Sequence, residues 1–157
     1  MSNPNPLSTT TYLMVRVTKA HRGLVSAVLA KKNLHIGQEL LLMELWQGDG
    51  MTQTELAERL CIEPPTLTKM LGRLEKTELL EKRRDIEDKR IYRIFLTEKG
   101  YSLQKPITDL WLQLEETILA NLSPEERLLF RRLMMQIYDN LEAAKTNQQL
   151  FKKFTQT

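Results

Sequence analysis

The chain has 157 residues, 41% of them hydrophobic and 27% charged, with a formal net charge of +3 and a sequence pI of about 9.0. That length suits one structural domain with a real core, and the weak positive balance is compatible with nucleic acid without requiring it. A sole cysteine, Cys61, excludes an internal disulfide and suits a reducing cytosol; no apolar run approaches the ~20 residues of a membrane span, and residues 1–10 lack a secretory pattern, so a cytoplasmic protein with no membrane partner is expected.

Residues 1–6 read as disordered or loosely docked. A helix follows over about residues 9–32, with Leu13, Val17, Ala20, Leu24, Ala27 and Val28 on one face. Asn33-Leu34-His35 breaks it. A second helix, about residues 36–47, is apolar nearly all round, which predicts burial between other elements. Gly48-Asp49-Gly50 ends that helix, and Met51 is placed to add a brief third strand to a later hairpin.

Thr52 and Glu55 form a capping box that starts a short helix, and Leu56, Ala57 and Leu60 supply its inner face. Cys61-Ile62-Glu63 is the turn. Pro64 then suits the first turn of another helix, which runs to about Lys76. Leu67, Met70, Leu71 and Leu74 face inward; Pro65, Thr66, Thr68, Lys69, Gly72, Arg73 and Lys76 face outward. Arg and Lys can read guanine edges or grip phosphates, and Thr can touch a thymine methyl. The helix pair alone does not separate such a reading helix from an ordinary solvated one.

A hairpin comes next. Residues 79–84 read as one strand, residues 85–89 as a polar tip and residues 90–96 as the returning strand. Lys82, Arg83, Arg84, Lys89, Arg90 and Arg93 concentrate there, diluted by Glu81, Asp85, Glu87 and Asp88. If the strand has begun by Asp88, this carboxylate shares a face with Arg90 and can hold its guanidinium extended. An arginine at such a tip can enter a minor groove; the plainer reading is a surface ion pair worth about 0–1 kcal/mol.

Thr97 caps a long helix, which Pro106 should kink near its second or third turn. Leu103, Ile107, Leu110, Leu114 and Ile118 line one face, with Trp111 beside it. Ser123-Pro124-Glu125-Glu126 restarts a helix, with Phe130, Leu133, Ile137, Leu141 and Ala144 in one stripe. Residues 146–157 are mostly polar. The outer helices carry more apolar surface than a small winged helix covers, so a two-fold homodimer is expected.

Gln38, Thr52-Gln53-Thr54-Glu55-Leu56-Ala57, Pro65-Thr66-Leu67-Thr68-Lys69, Leu71, Leu74-Glu75-Lys76, Asp88-Lys89-Arg90 and Leu96-Thr97-Glu98-Lys99-Gly100 together resemble the MarR family of bacterial winged-helix regulators. Glu78 departs from the pattern, standing where the family usually has Gly before the strand. Gly accepts φ > 0 there at little cost, so Glu78 either bears strain or the turn differs locally. The resemblance implies a symmetric dimer on a pseudo-palindromic double-stranded DNA operator, with recognition helices in major grooves and wing arginines in flanking minor grooves. It also implies a small-molecule pocket, often for aromatic acids. Tyr12, Arg16, His35 and Trp111 are candidate effector contacts, each with a plainer structural reading. The family's oxidation sensors carry their cysteine near the first helix; Cys61 lies elsewhere and reads as a half-buried structural thiol, with a redox role as the alternative.

No catalytic set, cofactor loop or metal cluster is visible: His21 and His35 with one distant cysteine do not make a zinc site. The expected fold is mainly α, a winged helix-turn-helix with long N- and C-terminal dimerisation helices. Residues 1–34 form the arm and first dimerisation helix, 35–100 the DNA-binding lobe and 101–157 the C-terminal dimerisation helices. The expected function is a transcription regulator, a repressor relieved by a small aromatic or phenolic ligand or a stress signal; the alternative is a winged-helix protein-interaction module. Pro65, Thr66, Thr68, Lys69 and Arg73 are the expected major-groove contacts, Arg90 the minor-groove contact with Asp88 supporting it, and Lys82, Arg84 and Lys89 the phosphate contacts.

Overall fold

A computed structural model describes residues 5–146. The start at residues 1–4 and the polar tail at 147–157 lie outside the described residues. Of the expected loose start only Asn5 and Pro6 are described; Pro6–Ser8 form one 3-10 turn, with the Asn5 side chain accepting from the Leu7 backbone N–H at 3.1 Å. The chain divides into two compact units, Met1–Asp109 and Leu110–Thr157.

In the first unit, α1 (Thr10–Ala30) starts at Thr9, whose hydroxyl accepts from the Tyr12 N–H. Only its C-terminal end is buried, through Val25 and Leu29; Leu13, Val15 and Val17 stay exposed. Asn33 takes a positive φ of 56°, and Leu34 folds back into the core. α2 (Gln38–Gln47) begins two residues later than its sequence suggests, because Gly37 turns the chain at φ 93°. The Gln38 side chain then accepts the His35 N–H at 2.7 Å. Leu41, Leu42 and Leu45 are buried as expected of this helix, while Leu40 is exposed. Glu39 is buried as well, and desolvation pushes its carboxyl up.

α3 (Gln53–Leu60) carries both halves of the capping box, and α4 (Pro64–Lys76) has proline at its first turn. β1 (Met51–Thr52), β2 (Leu80–Arg84) and β3 (Tyr92–Leu96) form an antiparallel sheet in the order β1-β3-β2. The brief third strand at Met51 is therefore present. Leu56, Leu67, Leu71, Leu74, Leu80 and Ile94 are all buried, so α3, α4 and the sheet base share one core.

Glu78 resolves the question its sequence raises. It takes φ 58°, the left-handed conformation itself, at a cost of about 1–2 kcal/mol for a residue with a Cβ. The turn geometry is kept: the Glu78 carbonyl accepts the Thr97 hydroxyl at 2.6 Å, and the Leu79 carbonyl accepts the Thr97 N–H at 3.2 Å.

Pro106 does more than kink its helix. It has no N–H for the Ser102 carbonyl four residues back, and its ring crowds that carbonyl. The helix accordingly breaks at Leu103 into α5 (Glu98–Ser102) and α6 (Gln104–Ile118). Gly100 in α5 meets the base of the wing. A Cβ there would lie 2.1 Å from the Leu79 carbonyl oxygen and 3.0 Å from a Leu96 methyl. The Gly100 carbonyl also accepts the Trp46 indole N–H at 3.3 Å.

The second unit contains the end of α6 and α7 (Pro124–Thr146). Ser123 and Glu126 exchange capping bonds, and Arg127 pairs with Glu116 at 3.1 Å. Leu129, Phe130, Leu133, Met134, Tyr138 and Leu141 of α7 are 43–57% exposed, a long uncovered apolar stripe. Among the described residues no helix is long and apolar enough to cross a membrane.

Gly100→Ala places a methyl against backbone that cannot move alone. It should lower stability by about 1–3 kcal/mol, read as a shift in the urea midpoint. An unchanged midpoint would mean that the contact between α5 and the wing relaxes freely.

Candidate nucleic-acid interface

The outer face of α4 follows from its inner face. Leu67, Leu71 and Leu74 are at most 1% exposed and fix the helix's rotation. Pro65, Thr66, Thr68, Lys69 and Arg73 consequently all face solvent. Lys69 and Arg73 make no hydrogen bond or ion pair with the described residues, and Thr68 donates its hydroxyl to the Pro64 carbonyl at 2.9 Å.

The hairpin differs from its sequence reading at the tip. β3 starts at Tyr92, so Lys89, Arg90 and Ile91 belong to the turn and not to the returning strand. Asp88 and Arg90 therefore do not share a strand face. Asp88 instead accepts the backbone N–H of Arg90 at 2.9 Å, which positions the residue and leaves its guanidinium without a partner among the described residues. Lys89 is likewise uncommitted. Lys82 and Arg84 are not: Lys82 pairs with Glu75 at 3.0 Å, and Arg84 donates to the Tyr92 hydroxyl at 3.1 Å.

Asp85 organises the tip, and the sequence reading had it only as a diluting charge. One carboxylate oxygen accepts the N–H groups of Glu87 and Asp88 at 2.8 and 3.0 Å. The other pairs with Arg93, which also donates to the Gly50 carbonyl at 3.0 Å. This tie answers an electrostatic problem. The register sets Arg83 directly opposite Arg93, and like charges facing across strands repel. Arg83 pairs with Glu81 and lies 4.7 Å over the Phe95 ring, while Arg93 pairs with Asp85. The signal was available only through the register, which brings residues eight apart into contact.

Asp49 plays a similar part at the other end of the sheet. Its carboxylate accepts the Leu96 N–H at 2.9 Å and the Tyr101 hydroxyl at 3.0 Å, which pushes the Tyr101 phenol up.

Cys61 is exposed, contrary to the half-buried thiol expected. It caps α3 at φ 50°, where the left-handed backbone turns its side chain outward, and its thiol lies 3.5 Å from the Glu58 carbonyl. Three of the effector candidates lie towards the two ends of α1. Tyr12 and Arg16 are exposed near the start of α1; Tyr12 lies eighteen residues before Ala30, roughly 27 Å along the axis. His35 is exposed just beyond the far end of α1, so within one chain it does not share a pocket with them. Trp111 is half-buried on α6. Among the described residues no group of three or more His, Cys, Asp or Glu gathers as metal ligands.

Two helices joined by a tight turn, followed by a three-stranded wing, define a winged helix-turn-helix. Residues 34–92 match the sequence model of the MarR family. It is 38% identical over 78 residues to the HTH-type transcriptional regulator TtmR of Methylorubrum extorquens, covering 50% of this chain and 40% of that one. It is 36% identical over 83 residues to the organic hydroperoxide resistance transcriptional regulator of Bacillus subtilis, covering 53% and 56%. The chain thus spans about half the length of these curated relatives, which are named as transcription regulators and not as enzymes. The structure is similar to that of MepR from S. aureus in its DNA complex, with a TM-score of 0.77 and 25% identity over 87% of this chain and 99% of that one.

The Arg93 guanidinium and the two tip N–H groups hold the Asp85 carboxyl down from 3.8 to about 2. A carboxyl whose folded pKa is depressed stabilises the fold above the unfolded value, and that contribution is lost as pH falls through the folded one. Asp85→Asn should therefore cost stability at about pH 5, and the gap to the unsubstituted chain should close on acidification towards about pH 2. Denaturant titrations across this range measure it; a gap that stays constant would contradict the ion-pair role.

Proposed function

We propose that the chain is a homodimeric, sequence-specific DNA-binding transcription regulator, a repressor that acts in the cytoplasm. The observation that carries this reading is the set of uncommitted cations: Lys69 and Arg73 on the outward face of α4, and Lys89 and Arg90 at the wing tip. Each is exposed and has no carboxylate partner among the described residues, whereas Lys82, Arg83 and Arg93 have one. In this reading Pro65, Thr66, Thr68, Lys69 and Arg73 meet base edges in the major groove. Arg90 enters the adjacent minor groove, where narrowness concentrates negative potential. Asp88 supports it through the backbone. Lys89 grips phosphate directly; Lys82 and Arg84 do so by exchanging their present partners.

Residues 35–100 serve as the DNA-binding lobe, and residues 1–34 and 101–157 as dimerisation helices. The apolar stripe of α7 and the exposed Leu13, Val15 and Val17 of α1 support pairing with a second copy. A closed two-fold dimer sets two α4 helices about one DNA turn apart on a pseudo-palindromic operator. A small aromatic or phenolic effector that favours another spacing of the lobes weakens operator binding by the coupling factor it experiences in return. Tyr12, Arg16, His35 and Trp111 are its candidate contacts, and oxidation of the exposed Cys61 is the alternative signal.

Duplexes enriched by the full chain from a randomised pool test the DNA reading. On the enriched sequence Arg73→Ala should cost about 1–3 kcal/mol and relax specificity, whereas Lys89→Ala should weaken every sequence alike and reduce the salt slope by about one. Equal losses from both variants on enriched and random DNA would refute direct readout. For the dimer, Leu133→Glu buries a charge in the proposed interface and should yield monomers in sedimentation equilibrium. A variant that stays dimeric would place the interface elsewhere.

A further inference from the structure

The leading end of α4 is short of hydrogen-bond donors. Pro64 and Pro65 have no backbone N–H, and those of Thr66 and Leu67 both donate to the Glu63 carbonyl, at 2.9 and 3.1 Å. Among the first four residues of α4 the backbone has no N–H left for a base edge or a phosphate. Thr68, one turn on, is exposed and has its hydroxyl turned back onto the Pro64 carbonyl at 2.9 Å. A β-branched side chain has few χ1 choices, so fixing the oxygen branch against the backbone leaves the Cγ2 methyl as the outward branch. Pro65 is exposed three residues earlier, on the same helix face. The surface formed by this pair is apolar, and the free cations Lys69 and Arg73 begin only beyond it.

We propose that Pro65 and Thr68 are specificity-determining residues that read a thymine 5-methyl group by apolar contact, with the Thr68 hydroxyl kept as an internal helix bond. The inference rests on the DNA-reading role of α4. The thymine methyl is the one apolar group on the major-groove edges of the four bases, so an apolar reader there selects T·A against the other pairs. Lys69 and Arg73 supply the polar readout further along the helix. Each half-site accordingly holds a thymine under the leading end of α4 whose methyl, and not its O4, is the recognised group.

The test uses the duplex enriched by the full chain, resynthesised with each thymine singly replaced by uracil, which removes only the methyl. One position per half-site should weaken binding of the unsubstituted protein, by roughly fourfold for one buried methyl. Thr68→Val keeps the methyl and should keep the preference for thymine over uracil. Thr68→Ser keeps the hydroxyl and should lose about the same fourfold, and it should no longer distinguish the two bases at that position. A uracil scan without effect on the unsubstituted protein would overturn the proposal without recourse to any variant. So would Thr68→Ser binding normally while Thr68→Val fails, which would make the hydroxyl the reader. Failure of the chain to enrich any duplex would defeat the DNA-reading role itself.

Discussion

Complete burial of Leu67, Leu71 and Leu74 is the constraint on which the interface depends. Spaced four and three apart, they occupy one stripe of α4 and leave one rotation of the helix available. Turning the helix by one residue would bury Thr68, Gly72 and Glu75, or Thr66, Met70 and Arg73, in place of leucines that each contribute about 1.5–3 kcal/mol by leaving water. The same stripe packs into the core shared with Leu56 of α3 and with Leu80 and Ile94 at the base of the wing. One set of apolar contacts thus aims the α4 face and anchors the hairpin, so the two proposed DNA-contacting surfaces belong to a single rigid lobe.

Charge is distributed within that lobe according to what each cation must do. Arg83 and Arg93, which would repel each other across the strands, are neutralised internally by Glu81 and Asp85, and Lys82 is paired with Glu75. Lys69 and Arg73 on the exposed face of α4 and Lys89 and Arg90 at the wing tip have no acidic partner among the described residues. The tip is held by the Asp85 carboxylate, which gathers two backbone N–H groups and one guanidinium, and by Asp88, which fixes the backbone of Arg90. Arg90 therefore stands on an ordered turn although its side chain is free. Ordering the backbone before DNA arrives lowers the entropic cost of binding.

Much of this was legible in the sequence, because it is written in local chemistry. The Thr52–Glu55 and Ser123–Glu126 capping boxes, proline at the start of α4 and its leucine periodicity depend only on neighbours along the chain. The features that escaped depend on something further away. Asp88 and Arg90 were expected to share a strand face, but the strand begins two residues later. The pairing of Asp85 with Arg93 required the hairpin register. Pro106 was visible as a helix disruptor, yet whether it bends or breaks the helix depends on what else holds the ends. Cys61 was expected half-buried; its outward direction follows from a left-handed backbone, which the residue type does not announce. Within one chain the length of α1 separates Tyr12 and Arg16 from His35. Glu78 shows the opposite case: the family pattern exposed a position that demands φ > 0, and the chain adopts it despite its Cβ.

As proposed, α4 and the wing read sequence and are not merely a cationic surface. An anisotropy titration of the full chain tests that most directly, with an enriched duplex and a scrambled duplex of equal length, each at several salt concentrations. A preference of at least about a thousandfold for the enriched duplex is predicted, with the ratio persisting as salt weakens both. Equal affinities that fall together with salt would contradict it, because phosphate contact alone would then account for the binding.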